Sequence, residues 1–136
     1  MSADINTIRV VTRVHLETIA NNISTDYEGD KFTPVNDVEY QSVHLLSGGV
    51  DDFTIAYEDS VKSSLILQIT LNYPSQKGTY DVETKASQIV AHFNRGLVLE
   101  KNSVKVRVEK TPTIANLGVV GDREIRAVSI GLVVYS

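Results

Sequence analysis

The clearest hydrophobic pattern of this sequence lies between Ser64 and Tyr73, where apolar and polar residues alternate. The apolar set comprises Leu65, Leu67, Ile69, Leu71 and Tyr73. The polar set between them comprises Gln68, Thr70 and Asn72. Because side chains alternate between the two faces of a strand, this pattern predicts a strand with one face turned to a core.

Two other segments carry apolar residues at helical spacing. The first predicted helix runs from about Asp4 to Asn22, and its apolar positions include Ile5, Ile8, Val11, Leu16, Ile19 and Ala20. The second runs from about Asp81 to Arg95, with apolar positions at Val82, Ala86, Ile89, Val90 and Phe93. Gly96 follows as the expected C-terminal stop.

Further strands are predicted on both sides of the second helix. An alternation from Val38 to Leu45 slips near Ser42, which suggests a bulge, and Val104, Val106 and Val108 alternate with charged residues. The last strand, 123–135, is apolar on both faces: Ile125, Ala127 and Val133 on one, Val128, Ile130, Leu132 and Val134 on the other. Such a strand must be covered on both faces, and a neighbouring subunit is a candidate for one cover.

Three polar segments are predicted to be long loops: 24–36, 47–62 and 111–122. The second, interpreted as a protruding hairpin or flexible loop, is acidic, with Asp51, Asp52, Glu58 and Asp59 around Phe53, Ile55 and Tyr57. At the end of the third, Gly121-Asp122-Arg123-Glu124 resembles a β-turn that enters the last strand, with Arg123 and Arg126 as candidate ion-pair donors. The element order predicts an α+β fold, with two helices packed on one face of a mainly antiparallel, twisted β-sheet and long inter-strand loops.

Composition narrows the class of protein. The 136 residues suit one domain, 1–136, and their 42% hydrophobic content is typical of a globular chain. Without cysteine, neither disulfides nor thiolate zinc sites can form, which favours a reducing compartment such as a cytoplasm. A formal charge of −4 argues against general nucleic-acid binding, and the first residues predict neither a secretion signal nor a membrane anchor.

No motif for catalysis or cofactor binding emerges. His15, His44 and His92 lack metal-ligand spacing, no serine lies in a G-x-S-x-G elbow, and the glycines form no phosphate-binding loop. The four carboxylates of segment 47–62 suit a hard cation in principle, but they lack EF-hand spacing and favour a solvated loop. We therefore expect a protein that is not an enzyme, without catalytic residues, metal or cofactor.

One stretch carries a family resemblance. It comprises the run from Leu65 to Pro74, a short turn with Gly78, then Ala86-Ser87-Gln88-Ile89-Val90-Ala91-His92-Phe93 and Gly96. This stretch and the terminal Val133-Val134-Tyr135 resemble the tail terminator (tail completion) proteins of tailed bacteriophages.

The resemblance implies a virion structural protein that caps the head-proximal end of the tail tube. Its copies would form a hexameric ring that ends tube polymerisation and offers the head-joining surface. The implied partners are further copies of the chain, the major tail-tube protein and a head-completion or connector protein, with no membrane. The protein would act in the virion, after assembly in the host cytoplasm.

Two alternatives stay open: another phage head–tail connector or head-completion protein, and a small ligand-binding α+β domain. For the tail terminator, a ring requires two different contact patches, and we expect them among loops 24–37, 47–62 and 111–122 and the strand edges beside them. The predicted interface residues are Asp51, Asp52, Phe53, Tyr57, Glu58, Asp59, Arg123 and Arg126. The four carboxylates are hypothesised to prevent further tube growth by charge repulsion.

Overall fold

The computed structural model describes residues 5–20, 22–47 and 62–135. The helices are α1 (Ile5–Glu17) and α2 (Tyr80–His92). The strands are β1 (Ser24–Tyr27), β2 (Tyr40–Ser47), β3 (Lys62–Pro74), β4 (Val98–Lys101), β5 (Val104–Val108), β6 (Thr113–Val120) and β7 (Arg123–Tyr135). The acidic loop predicted at 47–62 lies outside the described residues, apart from its two ends.

The seven strands form one mixed sheet. Its order is β1-β2-β3-β7-β5-β4, and β6 pairs with β7 off this path. β1 runs parallel to β2, whereas the other neighbouring strands are antiparallel. The α+β class predicted from the sequence is therefore confirmed, with a sheet of mixed direction.

β3 and β7 form the centre of the sheet. They pair over thirteen residues, from Lys62 opposite Tyr135 to Pro74 opposite Arg123. Leu67 lies opposite Ile130 and Ile69 opposite Val128, so that the apolar sets of the two strands share one face. All four side chains are at most 1% exposed, which confirms both predicted strands and their core face.

Both helices contribute side chains to the core. The apolar stripe of α2 is buried as predicted, with Val82, Ala86 and Ile89 fully inaccessible, and the helix contacts β3 and β7. α1 contacts β4 and β5. It ends at Glu17, five residues earlier than predicted, because the amides of Thr18 and Ile19 bond to carbonyls three residues back and tighten the last turn.

The bulge predicted near Ser42 is wrong. β2 pairs with β3 residue for residue from Tyr40 to Ser47. The alternation slips because Gln41, a polar residue, occupies a fully buried position on the face of Val43 and Leu45. Its amide nitrogen bonds to the side chain of Thr25 at 3.0 Å.

Two predicted loops contain strands. Residues 24–27 form β1, which pairs with β2 through backbone groups. The sequence of β1 shows no alternation of apolar and polar residues. Residues 113–120 of the predicted loop 111–122 form β6, which is exposed along most of its length. Because alternation records burial of one face, an exposed strand with Gly118 in it has the sequence character of a loop.

Candidate interaction surface

β6 and β7 form a hairpin that carries the main exposed apolar strand of the described chain. Val120 lies opposite Arg123, and Gly121 and Asp122 make the turn between them, as the sequence predicts. Gly121 has φ of +63°, a left-handed conformation that glycine adopts without a steric penalty. A register shift between Asn116 and Gly118 leaves Leu117 as an extra residue, so that β6 bulges.

The β6 edge, residues 113–120, is apolar, uncharged and open. Four of its large side chains are exposed: Ile114 by 45%, Leu117 by 54%, and Val119 and Val120 by 59% each. Within the described residues β6 pairs with β7 alone, so its other edge is open to a further strand. One β6 amide, that of Gly118, already donates to Oδ1 of Asn116 at 2.8 Å. Native proteins usually protect such an edge with charged residues, which β6 lacks.

The second face of β7 differs from what the sequence suggested. Ala127 is 4% exposed and Val133 is 1% exposed in the single chain. These two positions therefore need no neighbouring subunit to cover them. The adjacent strand β6 carries several exposed apolar side chains, and Leu46 of β2 and Ile66 of β3 are exposed as well.

Arg126, which lies opposite Asn116 in the middle of the hairpin, anchors β7 inside the molecule. Its guanidinium donates to Glu124 at 2.6 Å and to Glu83 of α2 at 3.3 Å. The Arg126 side chain is 3% exposed, compared with 11% for Glu124 and 60% for Glu83. The predicted ion-pair donor is confirmed, and its charge is compensated within the chain.

Arg123 fixes the turn end of the hairpin. Its guanidinium donates to the carbonyl oxygens of Val38 at 2.5 Å and Val35 at 2.9 Å, and it lies 5.3 Å from the ring centroid of Tyr40. The amide of Ser75 donates to the carbonyl of Asp122 at 2.9 Å. These contacts hold the turn against the segment that precedes β2 and against the residue that follows β3.

A histidine pair joins the two helices, a contact that sequence spacing did not reveal. The rings of His15 and His92 stack with centroids 4.1 Å apart. Nε2–H of each ring donates to the other residue's carbonyl, at 2.8 Å from His15 and 2.6 Å from His92. Burial lowers the pKa of His15, and the neighbouring His92 lowers it further against the opposing effect of the carbonyl. The stacked rings and the two hydrogen bonds hold α1 against α2.

Two clefts border α1, and neither has the character of a ligand pocket. One, of about 130 Å³, has an apolar floor that includes Val43 and Leu45. Its rim arginines are engaged: Arg9 bonds to Glu28 at 2.8 Å, and Arg13 to Glu17 at 3.2 Å. The other, of about 350 Å³, is a groove between α1 and β4 whose lining combines apolar side chains with Thr18, Glu100, Lys101 and backbone-bonded His15. Small-molecule sites usually bury most of the ligand among converging polar groups, whereas this groove is open to solvent.

Other site predictions concern metals, membranes and the acidic segment. Within residues 5–20, 22–47 and 62–135 there is no cluster of three metal-binding side chains. No helix in this described part is long and apolar enough to span a membrane. The predicted interface residues Asp51, Asp52, Phe53, Tyr57, Glu58 and Asp59 lie outside the described residues, and their role stays a prediction.

Comparison with known proteins decides the family. The sequence profile of the family described as phage tail terminator protein matches residues 7–130. The chain belongs to this family. The matched range contains β6 and the first part of β7, so the open edge belongs to the terminator domain itself.

A solved structure supports the fold of this tail terminator protein. It matches 98% of this chain and 96% of its own length, with a TM-score of 0.76 and 17% sequence identity. At that identity the likeness concerns the fold alone. No curated protein sequence matches the chain. As a family member, the terminator is a structural component of a phage tail and associates with other tail and head components.

Proposed function

We propose that this tail terminator caps the head-proximal end of the phage tail tube as a ring of identical copies, most simply six. The ring ends polymerisation of the tube and presents the surface to which the head joins. The observation that carries this proposal is the family match over residues 7–130. The described residues add an open, uncharged strand edge suited to protein–protein contact.

The contacts of such a ring are constrained by symmetry. A closed ring of identical subunits repeats one heterologous contact, so each copy needs two different patches. A terminator needs a third surface that matches the end of the tube, and a fourth, on the opposite side, that tube subunits do not bind. Many strand edges and exposed loops on a chain of 136 residues are compatible with so many contacts.

We further propose that the acidic segment 47–62 belongs to the surface that tube subunits do not bind. Its carboxylates Asp51, Asp52, Glu58 and Asp59 would repel an acidic subunit surface, and neutralising all four should change tail length or ring docking. The matched control neutralises exposed carboxylates elsewhere, such as Glu100 and Glu109, and should leave both unchanged. Unaltered tail length and ring docking in the variant with all four carboxylates neutralised would contradict this role.

The decisive experiment deletes the gene in its phage and complements it with the wild-type chain. Loss of the terminator should yield tails of irregular, mostly excessive length by negative-stain microscopy, and complementation should restore a single length. Immunogold labelling of complemented virions should mark the junction of tail and head. Deleted phage with tails of normal length that fail to join heads would contradict tube termination and favour a head-completion role.

A further inference from the structure

We propose that the β6 edge of one copy pairs with the outer edge of β1 in the next copy, so that the sheet continues between subunits. The inference rests on the proposed function, because it assigns the contact between ring neighbours to two particular strands. The partner is a second copy of this chain, joined head to tail through unlike edges.

The β6 edge supplies one half of this contact. It offers eight consecutive residues without a charge, and its partner strand β7 is fastened at two positions, by Arg126 to α2 and by Arg123 to the carbonyls of Val35 and Val38. A strand held in place has little conformational entropy left to lose when another strand adds to it. Backbone pairing along an open edge is an established mode of protein recognition.

The outer edge of β1 supplies the other half. β1 is the terminal strand of the sheet order, and within the described residues it pairs with β2 alone. Its last residue, Tyr27, is held by α1: the guanidinium of Arg13 lies 4.0 Å from the ring centroid, and the hydroxyl donates to Glu17 at 3.3 Å. Burial raises the pKa of Tyr27 to about 12, so the hydroxyl stays protonated as a donor.

Glu28 directs an added strand to β1. Directly after β1, its carboxylate accepts the amide of Leu45 at 2.6 Å and thereby occupies the edge of β2 where β1 ends. Burial alone would raise the pKa of Glu28, but the bonds from Leu45 and Arg9 outweigh it and lower the pKa. The carboxylate is therefore ionised at neutral pH, and an added strand finds the backbone of β1 as the open edge.

The two sides of the sheet carry opposite charge. Residues 22–47, around β1, contain five carboxylates and one lysine: Asp26, Glu28, Asp30, Asp37, Glu39 and Lys31. Counted together with Arg9, Arg13 and Glu17 of α1, this side holds six carboxylates and three basic side chains and is acidic. Residues 98–120, which contain β6, hold four basic and two acidic side chains: Lys101, Lys105, Arg107, Lys110, Glu100 and Glu109. The β6 edge itself is uncharged, but the basic segments beside it and the acidic segments around β1 favour head-to-tail contact over pairing of β6 with another β6.

Cross-linking on assembled tails tests this pairing, since the chain has no cysteine of its own. Ala115→Cys on β6 and Ser24→Cys on β1 are both at exposed positions. With both changes in one chain, a short bismaleimide should produce a ladder of covalent oligomers beyond the dimer. Each single variant should give no ladder. To cover other residue registers across the contact, Thr113→Cys and Leu117→Cys are each combined with Ser24→Cys as well.

A charge placed on the β6 edge should break the same contact. Val119→Lys adds a cation to an exposed position and should abolish the ring on tails while the isolated chain stays folded by circular dichroism. Val14→Lys on α1 is the matched control, because Val14 is 58% exposed and Val119 is 59% exposed. The control should assemble as the wild type does.

The outcomes separate this inference from the proposed function. Rings at the tail end with no ladder from any of the three cysteine pairs would overturn the β6–β1 pairing and leave tube capping intact. Dimers from Ala115→Cys alone would also overturn it, because they indicate that β6 meets β6. Tails of normal length in the deleted phage would instead contradict the proposed function.

Discussion

β6 and β7 form one hairpin, but the apolar side chains of β7 are buried and those of β6 are exposed. β7 lies at the centre of the sheet, with Val128, Ile130 and Leu132 at most 1% exposed. β6 lies directly beside it, with Val119 and Val120 each 59% exposed. One strand gains its stability from burial within the chain, and the other leaves apolar surface and backbone groups for contact outside it. In this protein, apolar content alone does not distinguish core from interface.

The largest effect is expected from a substitution in the buried strand β7. Ile130→Ala removes a fully buried side chain of β7 and should lower the free energy of unfolding by about 2 to 5 kcal/mol in a urea titration. Val119→Ala on β6, the matched control, should change it by less than about 0.5 kcal/mol. Equal losses for the two variants would mean that β6 is part of the core.

A second variant tests the ionic anchor of the hairpin. Arg126→Leu leaves the carboxylate of Glu124 buried without its cation and should cost about 3 kcal/mol of unfolding free energy. Glu83→Gln is the control: the side chain of Glu83 is 60% exposed, so its loss should cost less than about 1 kcal/mol. Adding Glu124→Leu to Arg126→Leu should recover much of the loss; no recovery would contradict a charge-based explanation.

A third variant concerns the turn end, where β7 begins. Arg123→Ala removes the donor to two backbone carbonyls and should cost about 1 to 2 kcal/mol. Hydrogen exchange of amides in segment 35–40 should accelerate with it. Asp122→Ala changes a side chain that is 76% exposed and should have little effect on either measurement. Unchanged exchange in Arg123→Ala would show that these bonds do not hold the segment.

The smallest effects are expected from glycine substitutions, which compare the backbone conformations of the two strands. Gly118 of β6 has φ of +75°, so Gly118→Ala should cost about 1 kcal/mol from backbone strain although nothing lies within 4 Å of the added Cβ. Gly131 of β7 lies outside the left-handed region and has equally open space. Gly131→Ala should be neutral or slightly stabilising in the same urea titration. Equal effects at both positions would argue against the bulge.

Much of the fold could be predicted from the sequence because burial leaves a periodic pattern. The alternation from Leu65 to Tyr73 and the stripe of α2 each correspond to a buried face, and both predictions are confirmed. Their apolar faces had to be continuous for the core to form. The family resemblance carried by the same stretch is also confirmed.

Only part of the candidate interaction surface could be predicted from the sequence. Arg123 and Arg126 were identified as charged residues beside a turn, and the strand edges near segment 111–122 as possible contacts. That this segment is itself a strand could not be inferred from its residues, because β6 buries neither face and has no alternation. Ile114, Leu117, Val119 and Val120 had no role in the sequence prediction.

The sequence by itself determined the core elements, the α+β class and the family, since local periodicity and a characteristic run of residue types are properties of the chain in order. Tertiary structure decided the distant pairings. His15 meets His92, and Arg126 meets Glu83, only after the chain has folded. Contacts between residues far apart in the chain depend on topology, and no local pattern records which partners the completed sheet brings together.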